Sequence, residues 1–441
     1  MENISKKTAA IYTLGCKVNQ YESEAIAELL ESHGITILPP SDICDAYIIN
    51  TCTVTAESDR KARQFIRRAI AKNPNAYIAV TGCFAQTSPE DIAKINGVDL
   101  ICGNSDKLKV AEYILDFFNG KKAKNNLEIL VKDIQKSAFE EMSITKFERT
   151  RAYVKIEDGC ENRCAYCIIP SARGKVRSKH PDTLLAEVET LVKNGCKEVV
   201  LTGIETASYG KDLDGVTLAD ILCKVDKIQG IRRIRLGSLD PSLIKPDFVE
   251  KISKLKNLAP HFHLSLQSGS SRILALMKRK YNADMAMNAI ELLRANIPNV
   301  SLTTDVIVGF PQESEEDLSE TAEFIKKAEF LTVHLFSYSN RKGTVASKMK
   351  GQLDSDEKNR RLHLLLEIAN EAKSLFLSKQ MLKNPIKDVL FETFDGESAH
   401  GHTDNFIEVT VKTNEDIRGE ILPVKLESTD GNICFGTLLN N

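Results

Sequence analysis

Short apolar runs separated by amphipathic stretches fill the first 119 residues of this chain. Runs at 9–14, 46–49, 77–80 and 98–101 predict buried strands, and helical periodicity at 22–32 and 56–71 predicts helices between them. The second helix stops before Asn73-Pro74. Strands alternating with helices imply a parallel α/β sheet. Polar, irregular sequence from Lys121 onward reads as a linker. A second alternating series follows, with strands at 152–156, 198–202, 231–236, 263–266, 302–308 and 332–336. Six such units predict a partial (βα)6 barrel with its chemistry at the C-terminal strand ends. A helix over 355–382 comes next, and after Pro385 short strands with turns at Asp395-Gly396 and Asp430-Gly431 predict a small β-barrel. The expected divisions are therefore 7–119, a linker at 120–145, 146–376 and 377–441. No repeat or low-complexity tract interrupts them.

Composition narrows the class. At 441 residues the chain calls for two or three domains. A net charge of −2 gives no global pull toward nucleic acid or membrane. No apolar stretch approaches the ~20 residues of a membrane span, and Met1 to Ala10 shows no signal-peptide apolar core, so export is not expected. A cytoplasmic location without membrane partners is the expectation. Eleven cysteines, an odd count, then point to reduced thiols used for metal ligation or catalysis.

Two groups of cysteines stand out. Gly159-Cys160-Glu161-Asn162-Arg163-Cys164-Ala165-Tyr166-Cys167 follows the first barrel strand directly. Three thiolates so close can hold an iron–sulfur cluster whose fourth iron stays open to a small ligand. A zinc knuckle is the bland alternative, but it wants a fourth ligand and the nearest histidine is His180. Cys16, Cys52 and Cys83 are 36 and 31 residues apart, yet each sits at the C-terminal end of a predicted parallel strand, the edge where open sheets bind ligands. They are either a second metal site or three unrelated small residues in turns. Cys44, Cys102, Cys196, Cys223 and Cys434 read as structural thiols.

The Cys-x3-Cys-x2-Cys spacing with an aromatic before the last cysteine resembles the radical S-adenosylmethionine superfamily. The surroundings, Val154 to Cys160 and Ile168-Ile169-Pro170 to Arg173-Gly174, resemble its methylthiotransferase branch, and the resemblance covers the whole chain. It implies two 4Fe–4S clusters, a radical-generating one on Cys160, Cys164 and Cys167 and a sulfur-donor one on Cys16, Cys52 and Cys83. It also implies S-adenosylmethionine contacts from Tyr166, Gly203, Glu205, Ser238, Gln267 and Gly309, and a TRAM-like C-terminal barrel. One S-adenosylmethionine would methylate a sulfur and a second would give the 5′-deoxyadenosyl radical, with electrons from a donor such as flavodoxin or ferredoxin.

Gly15-Cys16-Lys17-Val18-Asn19 followed by Gln20-Tyr21-Glu22-Ser23-Glu24 resembles the subgroup acting on N6-threonylcarbamoyladenosine 37 of the tRNA anticodon loop. The implied reaction replaces C2–H of that adenine with a methylthio group. The alternatives are the isopentenyladenosine 37 subgroup, the subgroup modifying a ribosomal-protein aspartate, and a non-catalytic metal-bearing RNA-binding protein. Arg60, Lys61, Arg63 and Arg67 are the foremost candidate tRNA contacts, with Arg232-Arg233-Ile234-Arg235 and Lys278-Arg279-Lys280 as further basic segments. The C-terminal barrel is a poor cationic surface. From Asn384 onward it has four Lys/Arg against eleven Asp/Glu, a net of −7, so any RNA grip would need a local face such as His400, His402 and Asn405.

Overall fold

Six parallel strands open the computed structural model, which describes residues 7–147 and 149–439. Residues 1–6, part of the segment read for a leader, lie outside the described residues, as do Glu148 and the last two positions of 377–441. The strands are β1 (Thr8–Thr13), β2 (Thr36–Ile37), β3 (Ala46–Thr51), β4 (Tyr77–Gly82), β5 (Leu100–Cys102) and β6 (Glu128–Leu130), in the order β2-β1-β3-β4-β5-β6. β3 and β4 are buried at every position, as expected for strands covered by helices on both faces. The chain reverses its direction of travel across the sheet between β1 and β3. Loops leaving those two strands diverge and open a crevice at their C-terminal ends. The segment expected as linker differs from expectation. Its residues 128–130 form the edge strand β6, and Met142 and Ile144 are buried in the central core.

Next come β7 (Ala152–Lys155) and the small ribbon of β8 (Glu157–Asp158) with β9 (Arg177–Ser178). The arc continues through β10 (Glu198–Thr202), β11 (Arg233–Leu236), β12 (His261–Gln267), β13 (Ser301–Val308) and β14 (Thr332–Ser337). β7, β10 and β11 pair in parallel, as do β12, β13 and β14, and single bridges join the two groups. All six expected barrel strands are present. On β12 the buried Phe262, Leu264 and Leu266 pack against the helices, while His263, Ser265 and Gln267 alternate with them and face the lumen.

A six-stranded arc leaves a seam between β7 and β14, and the first sheet's domain closes it from both sides. Tyr21 and Ala25, on the helix Lys17–Ser32, join the core beside β7, and Tyr21 Oη donates to Glu187 Oε1 at 2.9 Å. Beyond β14, Arg341 pairs with Asp59 at 2.7 Å and donates to Thr53 Oγ1 at 2.7 Å.

The helix Ser355–Lys383 leads to a closed antiparallel-rich barrel. Its strands are β15 (Ile386–Phe394), β16 (Ser398–Thr403), β17 (Glu408–Lys412), β18 (Ile421–Thr429) and β19 (Cys434–Leu438). Phe406, between β16 and β17, stacks on His261 at 4.7 Å and on His402 at 4.5 Å. Asn405 is buried and donates to Asn299 O at 3.1 Å. Asn405 is thus spent on the contact with the arc, which removes it from the RNA face suggested by the sequence, while the His402 ring is held by Glu392 and Phe406 of its own barrel.

Candidate active site

Three of the four strand-end cysteines of the first sheet, Cys16, Cys52 and Cys83, follow β1, β3 and β4 at the C-terminal edge. Cys16 caps the helix Lys17–Ser32, Cys52 follows β3, and Cys83 begins the short helix Cys83–Thr87. Gly82 adopts φ 97°, and a Cβ there would lie 2.3 Å from Thr51 O, so only glycine turns β4 into the Cys83 helix this tightly. The three thiols interact: Cys83 acts electrostatically on both Cys16 and Cys52, and Cys16 acts on Cys52. Cys16 is exposed, yet the surrounding protein excludes enough solvent to raise its thiol. Burial pushes the Cys52 thiol up to about 11. Soft cations displace such protons, so loading the site would release them. Cys102 points elsewhere, its Sγ 3.2 Å from Asp106 O within the hydrophobic core.

The second triad sits on the loop after β8. Gly159 has φ 90°, and a Cβ would fall 1.9 Å from Lys175 O. That close approach lets the Cys160 N–H donate to Gly174 O at 3.0 Å. Burial raises the Cys160 and Cys167 thiols to about 12. Arg279, almost fully buried, donates from Nη1 to Cys164 Sγ at 3.2 Å and from Nη2 to Asp240 at 2.9 Å. Arg279 was expected in a surface basic run. Instead Lys278 takes a left-handed backbone, φ 59°, in the turn that carries Arg279 inward.

Residues expected to hold S-adenosylmethionine divide into two groups. Tyr166 lies beside Arg279 and Cys164. Gly203 approaches Glu157 so closely that a Cβ would meet Oε2 at 2.5 Å, and the Glu205 N–H donates to that same oxygen at 2.8 Å. Glu205 accepts from Asn162 at 3.1 Å, while its Oε1, Glu157 Oε1 and Thr206 Oγ1 are buried without partners. Burial, then Asp240, raises the Glu205 carboxyl to about 7. Three orphaned oxygens beside a three-thiol loop fit a polar cationic ligand at an open iron. Gln267 ends β12 with φ 72°, and Ser238 is half-buried in the turn after β11. Gly309 differs: its N–H is taken by Glu313 at 2.9 Å, and a Cβ would face Lys358, 2.5 Å away.

Between the triads lies a buried ion network that the sequence did not reveal. Glu22 receives Lys107, Lys155 at 3.0 Å and Arg173 at 2.6 Å. Asp158 receives Arg173 at 3.2 Å and Lys155 at 3.4 Å, and Arg177 lies at 3.5 Å. Burial alone would raise both carboxyls, but Arg173 and its neighbouring cations hold them below their ordinary values. Arg173 Nε also donates to Cys83 Sγ at 3.3 Å. One guanidinium therefore touches a thiol of the first triad and the strand end that launches the second.

The expected tRNA contacts are less uniform. Arg60 is exposed but paired with Glu57 at 2.6 Å, Lys61 and Arg67 are exposed, and half-buried Arg63 lies over Phe84 at 5.6 Å. Arg233 and Arg235 are buried around Glu198 and are no part of an exposed cationic face.

Comparison with known proteins matches residues 154–325 to the radical SAM superfamily and 8–103 to the uncharacterized protein family UPF0004. The chain is 40% identical to the threonylcarbamoyladenosine tRNA methylthiotransferase MtaB of Bacillus subtilis, over 95% of this chain and 93% of that one. The MtaB of Thermotoga maritima is also 40% identical, over 83% and 82%. The tRNA-2-methylthio-N(6)-dimethylallyladenosine synthase of Clostridium tetani is 36% identical, over 96% and 94%. Among solved structures, the radical S-adenosylmethionine methyltransferase TsrM of Kitasatospora setae superposes with a TM-score of 0.55 at 12% identity, over 76% of this chain and 72% of that one. That likeness concerns the fold alone.

Proposed function

The chain belongs to the radical S-adenosylmethionine tRNA methylthiotransferases, and from that premise we propose how its own residues serve the reaction. The substrate is N6-threonylcarbamoyladenosine 37 of tRNA, and the product carries a methylthio group at C2. Arginine-buttressed thiol triads facing one lumen support this reading best: Arg279 on Cys164 and Arg173 on Cys83. When bound, 4Fe–4S clusters at Cys160, Cys164, Cys167 and at Cys16, Cys52, Cys83 would supply the cleaving electron and the transferred sulfur.

The protein's part is orientation, charge and exclusion of water. Gly203 admits the methionine moiety close to the backbone, and the unpaired oxygens of Glu205 and Glu157 accept from its ammonium. Arg279 and Arg173 donate to sulfur, stabilising thiolate at each triad. Arg60, Lys61, Arg63 and Arg67 sit on the helix that begins just after Cys52, where they can meet anticodon-loop phosphates. Adenosine 37 is a loop base, so placing it in the lumen costs less than flipping a paired one. A flavodoxin or ferredoxin is the electron donor of this reading, and the cytoplasm its place. Among the described residues no helix is long and apolar enough to cross a membrane.

Nucleoside mass spectrometry of tRNA from a deletion strain tests the substrate. Loss of the methylthiolated threonylcarbamoyl nucleoside is expected, and an unchanged level refutes the assignment. Loss of the isopentenyl counterpart instead would support the second substrate. For the division of labour, the variant C16A/C52A/C83A should still release 5′-deoxyadenosine but form no methylthio product.

A further inference from the structure

Apart from both cysteine triads, the wall of the arc carries a third group of metal-binding side chains. His263 lies on β12, Asp305 on β13 and His334 on β14. In the parallel pairing Thr303 is the register partner of His263, and Asp305 is that of His334. Thr303 and Asp305 are two residues apart on one strand, so all four side chains project from the same, lumen-facing side. Their neighbours Leu264, Val306 and Val333 turn the other way, into the core.

One ligand atom from each of His263, Asp305 and His334 lies within 4.8 Å of the other two. His263 Nε2 and Asp305 Oδ2 are 3.2 Å apart, close to the spacing of about 3.4 Å between two ligands held ~2.1 Å from a tetrahedral ion. The rings of His263 and His334 are 5.8 Å apart between centroids. His334 is exposed and makes no hydrogen bond among the described residues, so its ring has room to turn through the remaining gap. The contacts behind His263 suit a ligand too. Thr303 Oγ1 lies 2.9 Å from His263 Nδ1 and 3.1 Å from Nε2 of buried His261. That hydroxyl can accept the Nδ1 proton of His263 and give its own to His261, which leaves the His263 Nε2 lone pair facing the carboxylate. A lone pair against a carboxylate calls for a cation between them. A proton would serve that pair alone, without use for the third donor converging from β14.

We propose that His263, Asp305 and His334 bind one divalent transition-metal ion, of the zinc or ferrous class, on the lumen wall. Two imidazoles and one carboxylate suit such ions better than calcium or magnesium, which prefer oxygen throughout. Three protein donors leave the remaining positions open toward the chamber, for water or an oxygen-donor ligand. The site shares no residue with either cysteine triad, and it does not depend on which adenosine is modified.

Zinc is the probe. Full-length enzyme reconstituted with iron and sulfide is freed of loose metal, equilibrated with zinc across a range of concentrations, and assayed for bound zinc, iron and sulfide. Wild type is expected to hold one zinc per chain. Losing an outer-shell partner costs about tenfold to hundredfold in metal affinity, and losing a ligand at least that. T303V should therefore bind zinc about tenfold more weakly, H334Q and D305N more weakly still, and H334D, which returns a ligand, should keep it. His334 is exposed, so H334Q leaves the fold alone, and unchanged iron and sulfide in each variant shows that the triads are intact. Zinc-edge X-ray absorption should show nitrogen and oxygen ligands at about 2.0–2.2 Å. Absence of stoichiometric zinc in wild type overturns the proposal, being the result expected of a plain His263–Asp305 hydrogen bond. Equal affinity in wild type, H334Q and D305N overturns it as well, as do sulfur ligands at about 2.3 Å, which would put the zinc on cysteines.

Discussion

Replacing Arg173 with methionine should loosen the whole interface between the two cysteine triads. The side chain is fully buried and donates to Glu22, Asp158, Asn19 and Cys83. Methionine fills much of the volume but leaves two buried carboxylates with Lys107, Lys155 and Arg177 as their remaining cations. Removing one partner of a buried pair costs about 3–5 kcal/mol. Unfolding entropy of roughly 2.1 cal/mol/K per residue means that a chain of 441 residues loses about 1 °C in Tm per kcal/mol. The expected fall is therefore about 3–5 °C by differential scanning calorimetry of the apoprotein. Lysine at this position should recover part of it, since one charge returns without the fork. Glu22→Gln strips Lys107 and Lys155 of their carboxylate and should also destabilise, but because it removes the same Arg173–Glu22 pair as R173M, the double variant should lose less than the sum of the two. An unchanged Tm in R173M, or strictly additive losses in the double variant, would refute the view that this network holds the domains together.

Other perturbations separate the remaining features. In R279M the radical-generating cluster should lose a hydrogen bond to its Cys164 sulfur and titrate at a more negative potential, by on the order of tens of millivolts in redox-poised electron paramagnetic resonance; an unmoved potential would count against the contact. G159A should halve the iron content, because its Cβ has no room beside Lys175 O; full iron loading would contradict this. Glu198 gives a pH test: burial would raise its carboxyl, but Arg235 and Arg151 pull it down to about 2 from 4.5. Its folded-state value is depressed, so its stabilising effect, about 3 kcal/mol, is present above pH 4.5 and fades as pH falls toward 2. The stability gap between wild type and E198Q, read from denaturant titrations at pH 7 and at successively lower pH, should therefore narrow below pH 4.5; a constant gap would exclude the linkage.

Elements with a strong local signal were legible in the sequence. β3 and β4, each opening on four apolar residues, the 29-residue helix Ser355–Lys383 and the strand-end cysteines declare themselves by run length, period or spacing. β2 and β6 did not, since two or three residues at a sheet edge carry no periodicity. The ion network was illegible for another reason. Glu22, Lys107, Lys155 and Arg173 lie far apart in sequence, and nothing local distinguishes them from surface charges until tertiary packing brings them together. Arg279 misled because its sequence neighbours Lys278 and Lys280 are exposed, and one left-handed residue decides which of the three turns inward. Arg233 and Arg235 misled similarly: on a strand they alternate with Ile234, and their side of the strand is interior.

The seam between β7 and β14 has a consequence for how such a catalyst is put together. A complete cylinder would wall off its contents with staves of one kind. Here the gap is closed by the domain of the first sheet, which also carries Cys16, Cys52 and Cys83. In the proposed reaction, initiator and cargo would thereby be mounted on different frames that meet across a shared chamber. Redesigning what is delivered then means reshaping only the inserted wall, while the part that starts the reaction is left as it stands.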